Sequence, residues 1–251
     1  MLQDNPGWSP SNVSLTAAIQ SIKVARRAGQ TDHWSGHMDE IDGRRVLFVM
    51  ATDHEYGRNL RARFVPLITG VGPIEAAIAT STRLQLLGQS RVPDLVVCLG
   101  SAGSRRCDVG GVYQIACVSW RDMDASRLGF PKGVTPFTDH PVAFPLLTPL
   151  WDTPAASLST GANIVGGGEY DAIDADLVDM ETFAVLRACQ RFGIPMIGLR
   201  GVSDGPGELN GLKGWTDLLA LLDERLAEAV DRIPEALGRM FAIPQSDISG
   251  S

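Results

Sequence analysis

The chain has 251 residues, 44% of them hydrophobic, and its 22 lysine and arginine residues against 29 aspartate and glutamate residues give a net charge of −7. This length and composition suit one sizeable buried core and exclude a disordered class. The negative balance argues against a nucleic-acid partner, because sequence-independent binding needs many cations facing phosphates. No stretch is long enough for a membrane helix, and the N-terminus lacks the basic start and apolar run of a signal peptide.

Residues 1–43 are rich in Ser, Asn, Gly, Asp and His, and are interpreted as an N-terminal extension with one helix, Ser14 to Ala28. The extension is expected to pack on the main domain or on a partner, or to be partly disordered. Residues 44–240 form the predicted domain, and residues 241–251 a flexible tail.

From Arg44 onward, buried strands alternate with helices, which indicates a sheet covered by helices on both sides. Residues 125–155 are predicted to be a long loop with short pieces of structure, and Gly205 to Gly214 a glycine-rich loop. The predicted strands are Val46–Ala51, Val65–Ile68, Asp94–Gly100, Val112–Ser119 and Pro195–Val202. One short helix is predicted to start near Glu55. The other predicted helices span Pro73–Leu87, Met180–Phe192 and Trp215–Leu237.

The four cysteines show no CxxC spacing, and three of them fall in apolar stretches, as buried reduced thiols do. This usage fits a reducing cytoplasm. His33 and His37 have a spacing compatible with a metal, but no third ligand lies near them in sequence, so no metal site is expected.

Several strands end in polar or glycine-rich turns, where sites in such folds gather. If these ends converge, one pocket receives Glu55, Glu181 and Asp204 together with glycine amides. Carboxylates without surplus basic partners suit a reaction that builds positive charge on a sugar and delivers a proton to a leaving group. Each residue also has a structural interpretation: Glu55 and Glu181 could complement a helix dipole, and Asp204 could serve a turn.

Taken in order, these turns resemble the 5'-methylthioadenosine/S-adenosylhomocysteine nucleosidases, a family of the purine nucleoside phosphorylase superfamily. The likeness covers about Val46 to Leu237. Its most specific part is a Met-Glu pair followed by a helix, a strand and Ser-Asp. The motifs that carry it are Gly100-Ser-Ala-Gly103, Asp122-Met-Asp124, Val178-Asp-Met-Glu181 and Arg200-Gly-Val-Ser-Asp204.

The resemblance implies a three-layer α/β/α sandwich with a mixed central sheet, no cofactor, and a homodimer whose partner helps to close the site. It also implies residue roles. Glu55 would activate the attacking water, with Ser101 and Arg200 nearby. Met180 and Glu181 would contact the ribose.

At the base, the resemblance implies that Asp204 protonates N7 as the purine departs. Backbone near Ile164 and Val165 would line the purine. Gly103 and Ser203, which belong to the matching motifs, complete the expected substrate-binding set.

The expected reaction is hydrolysis of a purine nucleoside, and the first alternative is a phosphate-dependent phosphorylase. Phosphorylases of the superfamily carry an arginine two residues before the Gly-Ser of the strand end, where this chain has Cys98. A phosphate dianion without cationic partners would be poorly compensated, although Arg58 and Arg61 are near in sequence. A non-catalytic nucleoside-binding protein and a Rossmann-type enzyme are further alternatives, the last lacking a full GxGxxG motif.

The chain departs from the family pattern in the purine-lining segment, Gly161-Ala-Asn-Ile-Val165, where an acidic residue and an aromatic are usual. Asp179 replaces a glutamate, and Trp120-Arg121 replaces a Tyr-His pair. These differences leave the base open, and futalosine or another 6-substituted purine nucleoside is an alternative substrate.

Overall fold

A computed structural model describes residues 37–205, 207, 216 and 218–241. The predicted helix Ser14–Ala28, residues 242–251 of the predicted tail and most of the glycine-rich loop lie outside these residues. The strands are β1 Met38–Ile41, β2 Arg44–Met50, β3 Leu67–Ile68, β4 Leu95–Ser104, β5 Val112–Trp120, β6 Ala143–Pro145, β7 Ala155–Thr160, β8 Leu177–Asp179 and β9 Met196–Asp204. The helices are α1 Arg58–Arg61, α2 Pro73–Leu87, α3 Thr182–Arg191, α4 Leu219–Val230 and α5 Ile233–Phe241.

The strands described form one mixed sheet, as expected. β2 is parallel to β3 and β4, and β4 is parallel to β9, whereas β5 runs antiparallel to β9. β7 is parallel to both β5 and β8, and β8 returns antiparallel to the end of β4. The strands β4, β9, β5, β7 and β8 therefore close on themselves, so that the carboxyl end of β4 has neighbours on both sides.

Helices cover both faces of the sheet, which confirms the three-layer architecture. Apolar residues of α2 and α3, such as Leu84 and Val185, pack on one face. Those of α1, α4 and α5, such as Leu60, Leu226 and Leu237, pack on the other. Burial of these side chains supplies the main favourable term for folding. None of the helices in the described residues is long and apolar enough to span a membrane.

Three local differences from the sequence prediction have physical causes. β1, which falls within the predicted extension, pairs with β2. β8 has only three residues, too few to show a periodic pattern. The predicted helix Trp215–Leu237 is broken into α4 and α5 at residues 231–232, because Pro234 has no N–H and its ring crowds the carbonyl four residues earlier.

Candidate active site

Glu55 lies in the turn that follows β2 and is held against the end of β4. The backbone N–H of Ser101 donates to Glu55 Oε1 at 2.9 Å, and the Ser101 hydroxyl donates to the same oxygen. A Cβ at Gly100 would lie 3.0 Å from Glu55 Oε2, so glycine permits this approach. The carboxylate is 9% exposed. Helix α1 starts only at Arg58, so Glu55 is not a first-turn helix carboxylate.

Glu181 stands between β8 and α3, at the N-cap of the helix, but its side chain does not cap it. Its Oε1 accepts from the backbone N–H of Gly72 at 2.7 Å. Gly72 has φ = 98°, a left-handed conformation that favours glycine. Burial, and next the negative charge of Asp179, raise the pKa of Glu181 to about 7. Glu181 can therefore hold or release a proton near neutral pH.

A buried ion pair lies beside Glu181. Arg200 Nη2 is 2.9 Å from Asp179 Oδ2, and both side chains are at most 2% exposed. Arg200 also donates to Thr182 Oγ1 at 2.6 Å and to Cys98 Sγ at 3.4 Å. Thr160 Oγ1 donates to Asp179 Oδ1 at 2.6 Å. Burial opposes the charge of Asp179, but Arg200 and the hydroxyl donors outweigh it and lower the pKa of this carboxyl.

A small cavity brings these groups together, and we call it the Glu55–Glu181 cavity. Its volume is about 10 Å³, close to what one water molecule needs. Of the predicted residues, Glu55, Ser101, Glu181 and Arg200 line it, together with Thr69. Arg200 is the one cation in this lining, and its charge is matched by Asp179.

Asp204 lies at the end of β9 in a second group, the Asp204 cluster, which also contains Gly103, Tyr170 and Ser203. The Ser203 hydroxyl donates to Asp204 Oδ1 at 2.6 Å. The Tyr170 hydroxyl lies 3.4 Å from Asp204 Oδ2 and donates to it. Gly103 pairs with Asp204 across the β4–β9 ladder, next to a β-bulge. Each carboxyl oxygen of Asp204 therefore faces one hydroxyl.

Strand β4 connects the two groups. Ser101 binds Glu55, and Gly103 lies beside Asp204. These two residues are two positions apart, or roughly 7 Å along a strand. The three carboxylates predicted to converge are therefore arranged around one strand end, with Glu55 and Glu181 on the cavity and Asp204 beyond Gly103. A spacing of this size suits a ligand that spans a sugar and a base.

The segment predicted to line the purine is split between surface and core. Ile164 is 70% exposed, whereas Val165 is 3% exposed and packs with Tyr170 and Val178. Met180 is partly buried.

The end of β5 holds this segment in place. Arg121 donates to the carbonyl of Asn163 at 2.6 Å and to that of Asp179 at 3.0 Å. Asp122 Oδ2 accepts from the backbone of Ala162 at 2.7 Å. Arg58 is exposed, and Arg61 lies over the ring of Tyr56 and outside the cavity lining.

Sequence reasoning missed two features of the site. Tyr170 belongs to a short 3-10 helix, Gly167–Ala172, that has no periodic pattern to announce it. The pairing of Asp179 with Arg200 also went unnoticed, because a buried ion pair between distant positions leaves no local pattern. A signal was present only for the ion pair, since an Asp directly before Met-Glu and an Arg inside an apolar strand are each costly to bury alone.

Comparisons with known proteins show which family the chain resembles. The model of the phosphorylase superfamily matches residues 146–240. A 5'-methylthioadenosine/S-adenosylhomocysteine nucleosidase of Actinobacillus succinogenes is 32% identical over 223 residues, covering 80% of this chain and 85% of the relative.

Solved structures share the fold at lower identity. The same type of nucleosidase from Campylobacter jejuni has a TM-score of 0.65 at 15% identity, covering 78% of this chain and all of that one. A futalosine hydrolase mutant of Helicobacter pylori has a TM-score of 0.63 at 16% identity, covering 74% of this chain and 98% of that one. With a curated relative this similar over most of its length, the chain belongs to the 5'-methylthioadenosine/S-adenosylhomocysteine nucleosidase family of the phosphorylase superfamily.

Proposed function

We propose that this protein hydrolyses the N-glycosidic bond of a purine nucleoside of the 5'-methylthioadenosine or S-adenosylhomocysteine type. The products are the free base and a 5'-substituted ribose. The observation that carries the proposal is that Glu55 and Glu181 line one cavity with room for about one water molecule. The curated relative, which is named for this substrate type, supports the choice of nucleoside.

The carboxylates divide the reaction between them. Asp204 donates a proton to N7, which turns the purine into a better leaving group. Glu181, in its ionised form, accepts from the ribose hydroxyls and stabilises the oxocarbenium-like sugar more strongly than the ground state. Oε1 of Glu181 already accepts from the backbone N–H of Gly72, so Oε2 is the oxygen that faces the sugar. Glu55 takes a proton from water, whose oxygen bonds to the anomeric carbon as the bond to the base breaks.

Water is a better acceptor of the ribosyl group than phosphate in this cavity. A phosphate dianion would lie beside Glu55 and Glu181, and the only cation in the lining is already paired with Asp179. Repulsion by two carboxylates without a compensating arginine would oppose binding.

Base release should therefore be independent of phosphate. We expect chromatography to show the same amount of free base with and without phosphate, and a reducing 5'-substituted ribose rather than a ribose 1-phosphate. Strict phosphate dependence would replace hydrolysis with phosphorolysis on the same scaffold.

A panel of substrates is needed to identify the base and the 5' substituent of the nucleoside. The segment 161–165 lacks the acidic and the aromatic residue that are usual in the family. The related fold of a futalosine hydrolase makes a 6-oxopurine nucleoside the second candidate. The panel should contain 5'-methylthioadenosine, S-adenosylhomocysteine, futalosine and inosine. Undiminished binding without turnover of any of them would indicate a nucleoside-binding protein instead.

We also propose a cytoplasmic homodimer, without a nucleic-acid or membrane partner. The segment 125–150 carries exposed apolar side chains that a partner could cover, including Leu128 at 72% and Phe137 at 93% exposure. The four cysteines are free, as in a reducing compartment. Light scattering should give twice the mass of the chain, and Phe137→Ser should shift the equilibrium toward monomer. A monomeric parent at micromolar concentration would reject the dimer.

A further inference from the structure

We propose that Tyr170 is a positioning residue for Asp204, and that its hydroxyl holds one carboxyl oxygen both before and after the proton moves to the base. This inference rests on the proposed function. Tyr170 does not touch the reacting atoms, and it acts through Asp204.

The arrangement of hydroxyls around Asp204 gives the first argument. Ser203 Oγ lies 2.6 Å from Oδ1, and Tyr170 Oη lies 3.4 Å from Oδ2. A hydroxyl can donate to an ionised carboxylate and can accept from a protonated one. A general acid passes through both states in each cycle, so a hydroxyl keeps it oriented where a fixed donor such as an amide N–H would serve only the ionised form.

Gly103 gives the second, independent argument. A Cβ at this position would lie 2.3 Å from the Tyr170 hydroxyl and 2.8 Å from Asp204 Oδ2. Gly103 is not among the residues with positive φ, so backbone conformation does not demand glycine here. The missing side chain instead makes room for the Tyr170 hydroxyl beside the carboxyl. Strand β4 therefore accommodates this contact by having no side chain at this point.

The burial of the ring gives the third argument. Tyr170 is 3% exposed and packs between Val165 and Val178, so its hydroxyl has little freedom to turn elsewhere. Burial, and next the charge of Asp204, raise the pKa of Tyr170. The phenol consequently keeps its proton and remains a donor throughout the working pH range.

A double-mutant cycle on free adenine separates this role from a general structural one. The four proteins are the parent, Tyr170→Phe, Asp204→Asn and the double variant, and the readout is the Kd for adenine by calorimetry. Phenylalanine removes one oxygen and keeps the ring packing. We expect Tyr170→Phe to raise the Kd for adenine by about 5- to 10-fold in the parent background, as loss of one hydrogen bond does. In the Asp204→Asn background the same substitution should raise the Kd by less than about 2-fold.

Turnover supplies the second readout. Tyr170→Phe should lower kcat about 10-fold with little change in KM, because orientation of the acid matters most in the transition state. Tyr113→Phe is the matched control, since the Tyr113 hydroxyl accepts from the backbone of Asp108 outside the cavity lining. Both readouts should be unchanged in it.

The outcomes are distinguishable. If Tyr170→Phe raised the Kd for adenine equally in both backgrounds, or in neither, the role of Tyr170 would be overturned and the proposed function would remain intact. A parent protein that binds no adenine and releases no base would reject the proposed function together with this inference.

Discussion

The Glu55–Glu181 cavity and the Asp204 cluster hold their carboxylates in different ways. Glu55 and Glu181 each accept from a backbone N–H, of Ser101 and Gly72, and Glu55 accepts in addition from the Ser101 hydroxyl. Asp204 is held by two side-chain hydroxyls. Backbone donors are set by the fold itself, whereas hydroxyl donors can be exchanged by single substitutions.

The two regions also differ in how deeply they are buried. A fully buried ion pair supports the cavity, while Tyr170 of the Asp204 cluster packs with Val165, whose neighbour in sequence, Ile164, is 70% exposed. Bond cleavage needs groups that are already oriented when charge develops, and the backbone donors and the buried ion pair supply such orientation in the cavity. Recognition of different bases can change on the open side without disturbing the reaction centre. The departure from the family pattern at Ile164 falls on this exposed side.

The largest effect should come from the cavity itself. Glu55→Gln keeps the acceptor for Ser101 but cannot take a proton from water, and general-base catalysis is worth about 10²- to 10⁴-fold. We expect kcat for base release to fall by about 10³-fold, with the midpoint of thermal unfolding unchanged. Asp53→Asn is the matched control, because Asp53 lies in the same turn and its side chain is 51% exposed. Near-normal turnover in Glu55→Gln would remove Glu55 from the mechanism.

Sequence predicts each of the two regions only in part. α2 was predicted with both of its ends, because Pro73 and Gly88 mark them locally. Glu55 and Asp204 were predicted to lie at one edge of the sheet because each follows a strand end, and the structure places both beside β4. Tyr170 and the Asp179–Arg200 pair were missed. Their roles depend on tertiary contacts between residues 34 and 21 positions apart, and no local pattern encodes such contacts.

The buried ion pair should have the next largest effect, this time on stability. Asp179→Asn leaves the Arg200 charge without its partner, and breaking a buried pair costs about 3–5 kcal/mol. Urea unfolding should show a loss of this size. Asp171→Asn is the control, because it breaks an ion pair with Arg105 in which Asp171 is 81% exposed. Such surface pairs contribute about 0–1 kcal/mol. Equal losses in the two variants would mean that the cavity is no more rigidly supported than the surface.

Glu181 should make the free energy of unfolding fall as pH rises, which is the reverse of the usual behaviour of a carboxyl group. Its pKa is raised from 4.5 to about 7 in the folded chain, so the folded state holds this proton more tightly than the unfolded state. The contribution to stability is fully present below the unfolded value and is lost as pH rises through 7.

Glu181→Gln removes this loss and keeps the acceptor for Gly72. We expect the variant to be more stable than the parent by about 1–3 kcal/mol at pH 8.5, and equally stable at pH 4. Chemical unfolding at the two pH values measures the difference. The variant should also lose turnover, because a neutral amide cannot stabilise a cationic sugar. A stability difference that is the same at both pH values would argue against a raised pKa.

The smallest expected effect tests the open side. Ile164→Phe adds an aromatic ring where the family usually has one, and a stacked aromatic pair is worth about 0.5–1.5 kcal/mol. We expect the Kd for adenine to fall by about 2- to 10-fold, with kcat nearly unchanged because a stacked ring binds the base about equally in the ground state and the transition state. Ile78→Phe, an exposed isoleucine on α2, is the matched control for added hydrophobic surface. If both variants bind adenine as the parent does, the purine lies away from residue 164, and the base would then be recognised by the buried side of the Asp204 cluster alone.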